Sequence, residues 1–299
     1  DTVSFSYRPV GSSGWKPFSE YSRTTDQGLY PVAVDAATNT AYSLKDTDGR
    51  DAVYRTRLDG SMATELVFAH PEVDVTGIVR AGRNGRVVGA SYATDRREII
   101  YFDPTYKALG DGLSTAVADL PLIRFVDSSA DGSKQIIHAS SDTNPGEYFL
   151  YEAATKRMTL LVPARPELQN VQLAPVKPIT YRAADGTMVP GYLTLPLHSN
   201  GKNLPAIVMP HGGPAARDEW GFDWWAQFYA NRGYAVLQPN FRGSTGYGDD
   251  WFQANGFKSW KTAIGDVNDA GRWLVSQGIA DPAKLAIVGW SYGGYAALQ

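Results

Sequence analysis

Along residues 1–170, apolar residues come in short runs broken by Gly, Asp, Asn and Ser, and helical periodicity is scarce. This pattern predicts strand after strand with tight connections. Stacking the runs shows a repeat. Residues 33–43 followed by 52–55 share a plan with 78–91 followed by 98–102, and with 125–140 followed by 147–151. In each, a strand leads through a small-residue turn to a second strand ending in Ser, then to a polar loop and an aromatic strand. Ser43 to Tyr54 is 11 residues, Ser91 to Tyr101 is 10, and Ser140 to Tyr151 is 11; Val34, Val79 and Val126 recur at intervals of 45 and 47. A period near 45 with four short strands per unit matches β-propeller blades, each of which needs neighbours to cover its faces. Residues 3–22, with Trp15 and Phe18, read as the outer part of an earlier blade. Residues 1–172 are thus expected to form about three to four blades of a propeller, a fold that closes with roughly four to eight. An irregular β-sandwich with coincident spacing is the alternative.

The pattern changes near residues 171–178. Residues 179–195 read as two strands joined by the hairpin signal Asp185-Gly186. Strands and helices then alternate. Residues 206–209 are a short apolar strand, 223–231 an aromatic-rich helix, 234–239 a strand, 262–277 a helix and 284–289 a buried strand. Ile264, Val267, Ala270 and Leu274 fall on one face of the second helix. Alternation of this kind predicts parallel strands with crossover helices. The expected fold is a partial β-propeller (1–172) followed by the N-terminal half of an α/β-hydrolase domain (173–299).

The last predicted strand runs into Gly289-Trp290-Ser291-Tyr292-Gly293-Gly294, and a helix start follows. G-x-S-x-G between a strand and a helix is a nucleophile elbow. Its turn is so tight that a side chain two residues before or after the Ser would collide with the facing chain, and Gly289 and Gly293 remove it. Ser291 Oγ would stand exposed on strained backbone, at a helix N-terminus that favours developing negative charge. Such a nucleophile needs donors for the oxygen that becomes negative. One is expected from the backbone N–H of Tyr292, the other from the loop after the third strand. That loop is Pro210-His211-Gly212-Gly213-Pro214, where glycine permits close backbone approach. His211 is expected to order the loop by hydrogen bonding; in this fold the catalytic base follows the nucleophile in sequence. The plainer alternative is a Gly-rich turn holding a structural Ser.

Composition narrows the classes. The chain of 299 residues is 43% hydrophobic and 20% charged, enough for a sizeable core, and its 8 Trp and 17 Tyr suit a sheet-rich fold. A net charge of −3 without a basic stripe gives a nucleic-acid partner no support. The absence of Cys excludes disulfides and thiolate chemistry. No apolar run approaches the ~20 residues that span a membrane. His70, His138 and His198 show no metal-ligand spacing, and no metal or organic cofactor is expected. Compartment, whether cytoplasmic, periplasmic or secreted, and oligomeric state stay open.

Four segments together resemble the prolyl oligopeptidase family of serine peptidases. They are His211-Gly-Gly-Pro214, the run from Asn240 to Gly248 (Asn-Phe-Arg-Gly-Ser-Thr-Gly-Tyr-Gly), Asp266-Val-Asn-Asp269 and Gly289-Trp-Ser-Tyr-Gly-Gly-Tyr295. The resemblance is to the acylaminoacyl-peptidase branch and to dipeptidyl-peptidase-like members. It implies a propeller joined to an α/β-hydrolase domain, Ser291 as nucleophile, and the N–H groups of Tyr292 and Gly213 as the oxyanion hole. It implies short peptides as substrates, admitted past the propeller. Residues 242–248 would border the active-site floor as a structural loop, and Trp220, Trp224 and Trp225 would pack a helix. The departure lies after Ser291, where neither acid nor His follows, although the family places its triad Asp and His there. The expectation is therefore a fragment cut at both ends and inactive alone. A carboxylesterase of the same fold and a non-catalytic propeller binding module are the alternative functions.

Overall fold

The computed structural model describes residues 1–252, 254–255 and 259–299. It divides into two compact units, one of residues 1–116, 125–137 and 150–158, the other of 117–124, 138–149 and 159–299.

The first unit is built from antiparallel meanders. Strands β1 (Thr2–Tyr7), β2 (Lys16–Ser22) and β3 (Gln27–Gly28) form one sheet. A second holds β4 (Tyr30–Asp35), β5 (Thr40–Thr47), β6 (Arg50–Arg57) and β7 (Thr64–Phe68). A third holds β8 (Val75–Ala81), β9 (Arg86–Ala93) and β10 (Arg97–Tyr101). The fourth, β11 (Leu122–Ser128), β12 (Lys134–Ser140), β13 (Glu147–Glu152) and β14 (Arg157–Pro163), gives residues to both units. Successive sheets of three or four strands in chain order fit a partial propeller. Ala33, Tyr42, Val53, Val75, Val87 and Ala90 bury a common core between the second and third sheets. Asp35, 1% exposed, ties the same two sheets through Arg86 Nε at 2.8 Å and the Val87 N–H. Burial alone would raise its pKa; the Arg86 hydrogen bond and charge outweigh that and lower it.

The repeat predicts four strands per unit, but the third sheet has three, followed by helix α1 (Pro104–Ala116). Asp103 Oδ1 accepts from the N–H groups of Thr105 (2.8 Å) and Tyr106 (3.3 Å), with Pro104 in the first turn. The cap, not periodicity, starts this helix.

The second unit contains a five-stranded sheet in the order β15-β16-β18-β17-β19. Its elements are β15 (Val176–Arg182), β16 (Met188–Thr194), β17 (Leu204–Val208), α2 (Trp224–Ala230), β18 (Ala235–Pro239), α3 (Asp249–Phe252), α4 (Trp260–Ser276), β19 (Ala280–Ile287) and α5 (Tyr292–Leu298). The sheet is mixed: β15-β16 and β16-β18 are antiparallel, whereas β17 runs parallel to both β18 and β19. Alternate residues of β17 and β18 face opposite ways. Ala206, Val208, Ala235 and Leu237 pack with Ala263, Val267, Ala270 and Leu274 of α4. Ile207 and Val236 pack with Ala226 of α2 and the neighbouring Trp225 and Tyr229. Both faces are covered, which is why these strands read as unbroken apolar runs. Each fully buried Val or Leu contributes about 1.5–3 kcal/mol of transfer free energy. The expectation of a buried strand at 284–289 needs correction. β19 is the sheet edge, its residues 282–286 are exposed, and Leu285 is 37% exposed, because only β17 pairs with it among the described residues.

Candidate active site

The sheet delivers Ser291 to its position. β19 ends at Ile287, the Val288 N–H bonds to Val208 O at 3.0 Å, and the chain turns into α5 with Ser291 as the residue before its first turn. Ser291 has φ +57° and ψ −122° and is exposed. A non-glycine residue in that region carries about 1–3 kcal/mol of strain. The turn is closed by Gly293 N–H to Trp290 O (3.0 Å) and Tyr295 N–H to Ser291 O (3.0 Å). A Cβ on Gly289 would come within 2.7 Å of Gly293 Cα, and one on Gly293 would overlap Pro210 O. A side chain at 289 would open the turn, and one at 293 would push the turn off the loop at Pro210.

The loop after β17 lies against this elbow. A Cβ on Gly212 would be 3.4 Å from Ser291 Cβ and 3.9 Å from its Oγ. Gly213 is exposed, with φ +124°. Tyr292 is buried, and its ring stacks 5.7 Å from that of Phe241. Phe241, itself fully buried, also stacks 4.4 Å from the ring of His211. Both ring nitrogens of His211 are engaged, Nδ1 with Gly212 O at 2.7 Å and Nε2 with Ser244 Oγ at 2.8 Å. Burial pulls its pKa down to about 4, so the ring is neutral at physiological pH.

A second loop, after β18, fastens the first along its length. Thr245 donates its N–H to Ala216 O at 3.0 Å. Asn240, fully buried, accepts from the Asp218 N–H (2.7 Å) and donates to Asp218 O (2.9 Å). The Arg217 guanidinium sits 4.2 Å over the Tyr247 ring. The base of this second loop is itself anchored. Arg242 Nη2 and Nε reach Asp266 Oδ1 (2.7 Å) and Oδ2 (3.0 Å), Nη1 reaches Asp185 at 2.6 Å, and Asp266 is fully buried.

Ser291, Tyr292 and the loop of Gly212 and Gly213 thus meet at one corner of the sheet. Trp225 packs against the sheet and Trp220 Nε1 donates to Val176 O at 3.0 Å, whereas Trp224 is 59% exposed instead of packing inward. Sequence reasoning did not single out Ser244, Asp218 or the Arg242–Asp266 pair. The signal lay in the polar residues of the run from Asn240 to Gly248, whose partners in other segments are 22 to 57 residues away. The geometry suits nucleophilic attack by an exposed hydroxyl beside glycine-rich backbone.

Residues 220–299 match the model of the prolyl oligopeptidase family. The chain is similar to dipeptidyl aminopeptidase BIII of Pseudoxanthomonas mexicana, with 34% identity over 294 residues, covering 94% of this chain and 41% of that protein. It is similar to dipeptidyl peptidase family member 6 of Caenorhabditis elegans, 35% identical over 197 residues, or 59% of this chain and 27% of that one. Among solved structures, a puromycin-hydrolyzing peptidase of Mycobacterium tuberculosis superposes with a TM-score of 0.69 at 22% identity, over 95% of this chain and 44% of that one. The chain therefore spans well under half the length of these relatives. Residues 220–299 thus match the prolyl oligopeptidase family, and the similarity to a dipeptidyl aminopeptidase runs along nearly the whole chain.

Proposed function

We propose that the intact protein is a serine peptidase that hydrolyses short peptides through an acyl-enzyme on Ser291. The observation that carries this reading is the exposed Ser291 at φ +57° on a turn that Gly289 lets close and Gly293 lets seat against Pro210. In the reaction, Ser291 Oγ attacks the scissile carbonyl carbon, and the N–H groups of Tyr292 and Gly213 hold the oxygen that becomes negative. The tetrahedral intermediate collapses with loss of the amine, and water then cleaves the ester. The base that takes the Ser291 proton, and the acid that orients it, are the His and Asp that follow the nucleophile in the family pattern; residues 292–299 hold neither. We assign the catalytic domain to residues 173–299 and the partial propeller to 1–172. The dipeptidyl and acylamino-acid-releasing peptidases among the relatives favour the ends of short peptides as the substrate class.

The test is labelling of the intact protein with a fluorophosphonate probe, followed by peptide mapping. Label on Ser291, absent in Ser291→Ala, is expected, together with faster turnover of a peptide p-nitroanilide than of a simple p-nitrophenyl ester. A folded protein whose Ser291 stays unlabelled at saturating probe would end the peptidase reading. A preference for the ester would move it to the carboxylesterases.

A further inference from the structure

The contacts of His211 fix more than its position. Gly212 O is a carbonyl and can only accept, so His211 Nδ1, 2.7 Å away, carries a hydrogen. In a neutral ring Nε2 then presents a lone pair, and its neighbour at 2.8 Å, Ser244 Oγ, has to donate. Phe241 O competes for that hydroxyl hydrogen at 2.6 Å. It already receives the Ser244 N–H (3.0 Å) and Trp251 Nε1–H (3.1 Å), however, so it stays satisfied when the hydroxyl turns to the imidazole. The other tautomer would set a lone pair of Nδ1 against the Gly212 oxygen. Ser244 is fully buried, so bulk water does not stand in for its hydroxyl.

This matters because of the peptide unit that His211 grips. The bond between Gly212 and Gly213 is not among the cis peptides, so its carbonyl and N–H point in opposite directions. Holding Gly212 O fixes where the Gly213 N–H aims. Glycines on both sides leave that peptide plane with little torsional restraint of its own. A Cβ on Gly212 would touch Ser291 Cβ at 3.4 Å, so the gripped unit lies against the nucleophile.

We propose that Ser244 is a positioning residue that selects the Nδ1–H tautomer of His211 and thereby aims the Gly213 N–H at the oxyanion. The assignment rests on reading Gly213 as an oxyanion donor, as proposed above. Ser244 touches neither substrate nor Ser291; its influence runs through one imidazole and one peptide plane.

The test combines kinetics and spectroscopy on the intact protein. Selective 15N-histidine NMR reports the tautomer, with the His211 signal assigned by difference against His211→Gln. Ser244→Ala is expected to lose the pure Nδ1–H signature of His211. Its kcat is expected to fall about tenfold to a hundredfold, as for a misaligned catalytic group, with KM within about twofold. Ser244→Thr, which keeps the hydroxyl, is expected to restore both. Retention of the Nδ1–H tautomer in Ser244→Ala overturns the proposal. So does a shifted tautomer with unchanged kcat, and Gly213→Ala then separates two cases. If Gly213→Ala loses kcat, the relay alone is wrong; if it does not, the oxyanion assignment of Gly213 has failed as well.

Discussion

Asp218 lends itself to a quantitative test. It lies in the loop fastened beside the elbow, its backbone clamped by Asn240, and its Oδ2 is buried without a hydrogen-bond partner among the described residues. Burial, seconded by the nearby Asp223 carboxylate, raises its pKa to about 7 against the opposing Gln238 hydrogen bond and Arg217 charge. In an unfolded chain the same carboxyl titrates near 3.9. Below about pH 4 both states hold the proton and the group has no effect on stability. Between about pH 4 and 7 the folded protein keeps a proton that the unfolded chain has released, so stability falls as pH rises, and it levels off above. Three units at about 1.4 kcal/mol each set an upper bound near 4 kcal/mol, and relaxation around the charge reduces this to about 2 kcal/mol. Asp218→Asn keeps the shape and removes the ionisation. Denaturant unfolding of both proteins is expected to give equal stabilities near pH 4 and a variant more stable by about 2 kcal/mol at pH 8. A variant that loses stability at pH 8 would show that the carboxylate is charged and in use there, and the desolvation argument would fail.

Two further outcomes follow from the same geometry. Arg242→Met leaves the fully buried Asp266 with only the Arg242 backbone N–H from that residue, and is expected to lower stability by about 3 kcal/mol. Adding Asp266→Asn should recover part of that loss in a double-mutant cycle, and additive losses would mean the two side chains do not form one unit. Gly293→Ala places a methyl group against Pro210 O and is expected to lower fluorophosphonate labelling of Ser291 by about a hundredfold, the scale set by misplacing a catalytic group. Labelling at the parental rate would show that the turn has room to spare.

What the sequence disclosed and what it withheld divide by the range of the interaction. The elbow was legible because its requirements are local: two glycines and a Ser between a strand and a helix. The strands β17 and β18 were legible because burial on both faces leaves an unbroken apolar run. Helix α1 escaped because its start is a cap at Asp103, while only Gly110 and Leu113 within it are buried, too few to mark a period. The repeating valines marked spacing but not the core, since Val34 is 52% and Val126 45% exposed. The exposure of β19 followed from its place at the sheet edge, which composition alone does not give.

The partners of the loop after β17 were the least legible, and the reason bears on how such a loop is built. A loop rich in glycine holds no conformation by its own torsions, and it cannot carry bulky side chains so close to a nucleophile. Its order has to be imported. Here it comes from residues of the loop after β18, at Asn240, Ser244, Thr245 and Tyr247, which meet Asp218, His211, Ala216 and Arg217 respectively. The two loops form no ladder, because most of the ties use a side chain and few use two backbones. Such ties can be released one at a time. Substitutions along the series are therefore expected to lower kcat with little change in stability toward Ser244, and to lower stability with little change in kcat toward Asp218 and the Arg242 anchor. Measuring both quantities across Ser244→Ala, Asn240→Ala and Arg242→Met tests the gradient, and a uniform loss of both would show that the loop moves as one rigid body.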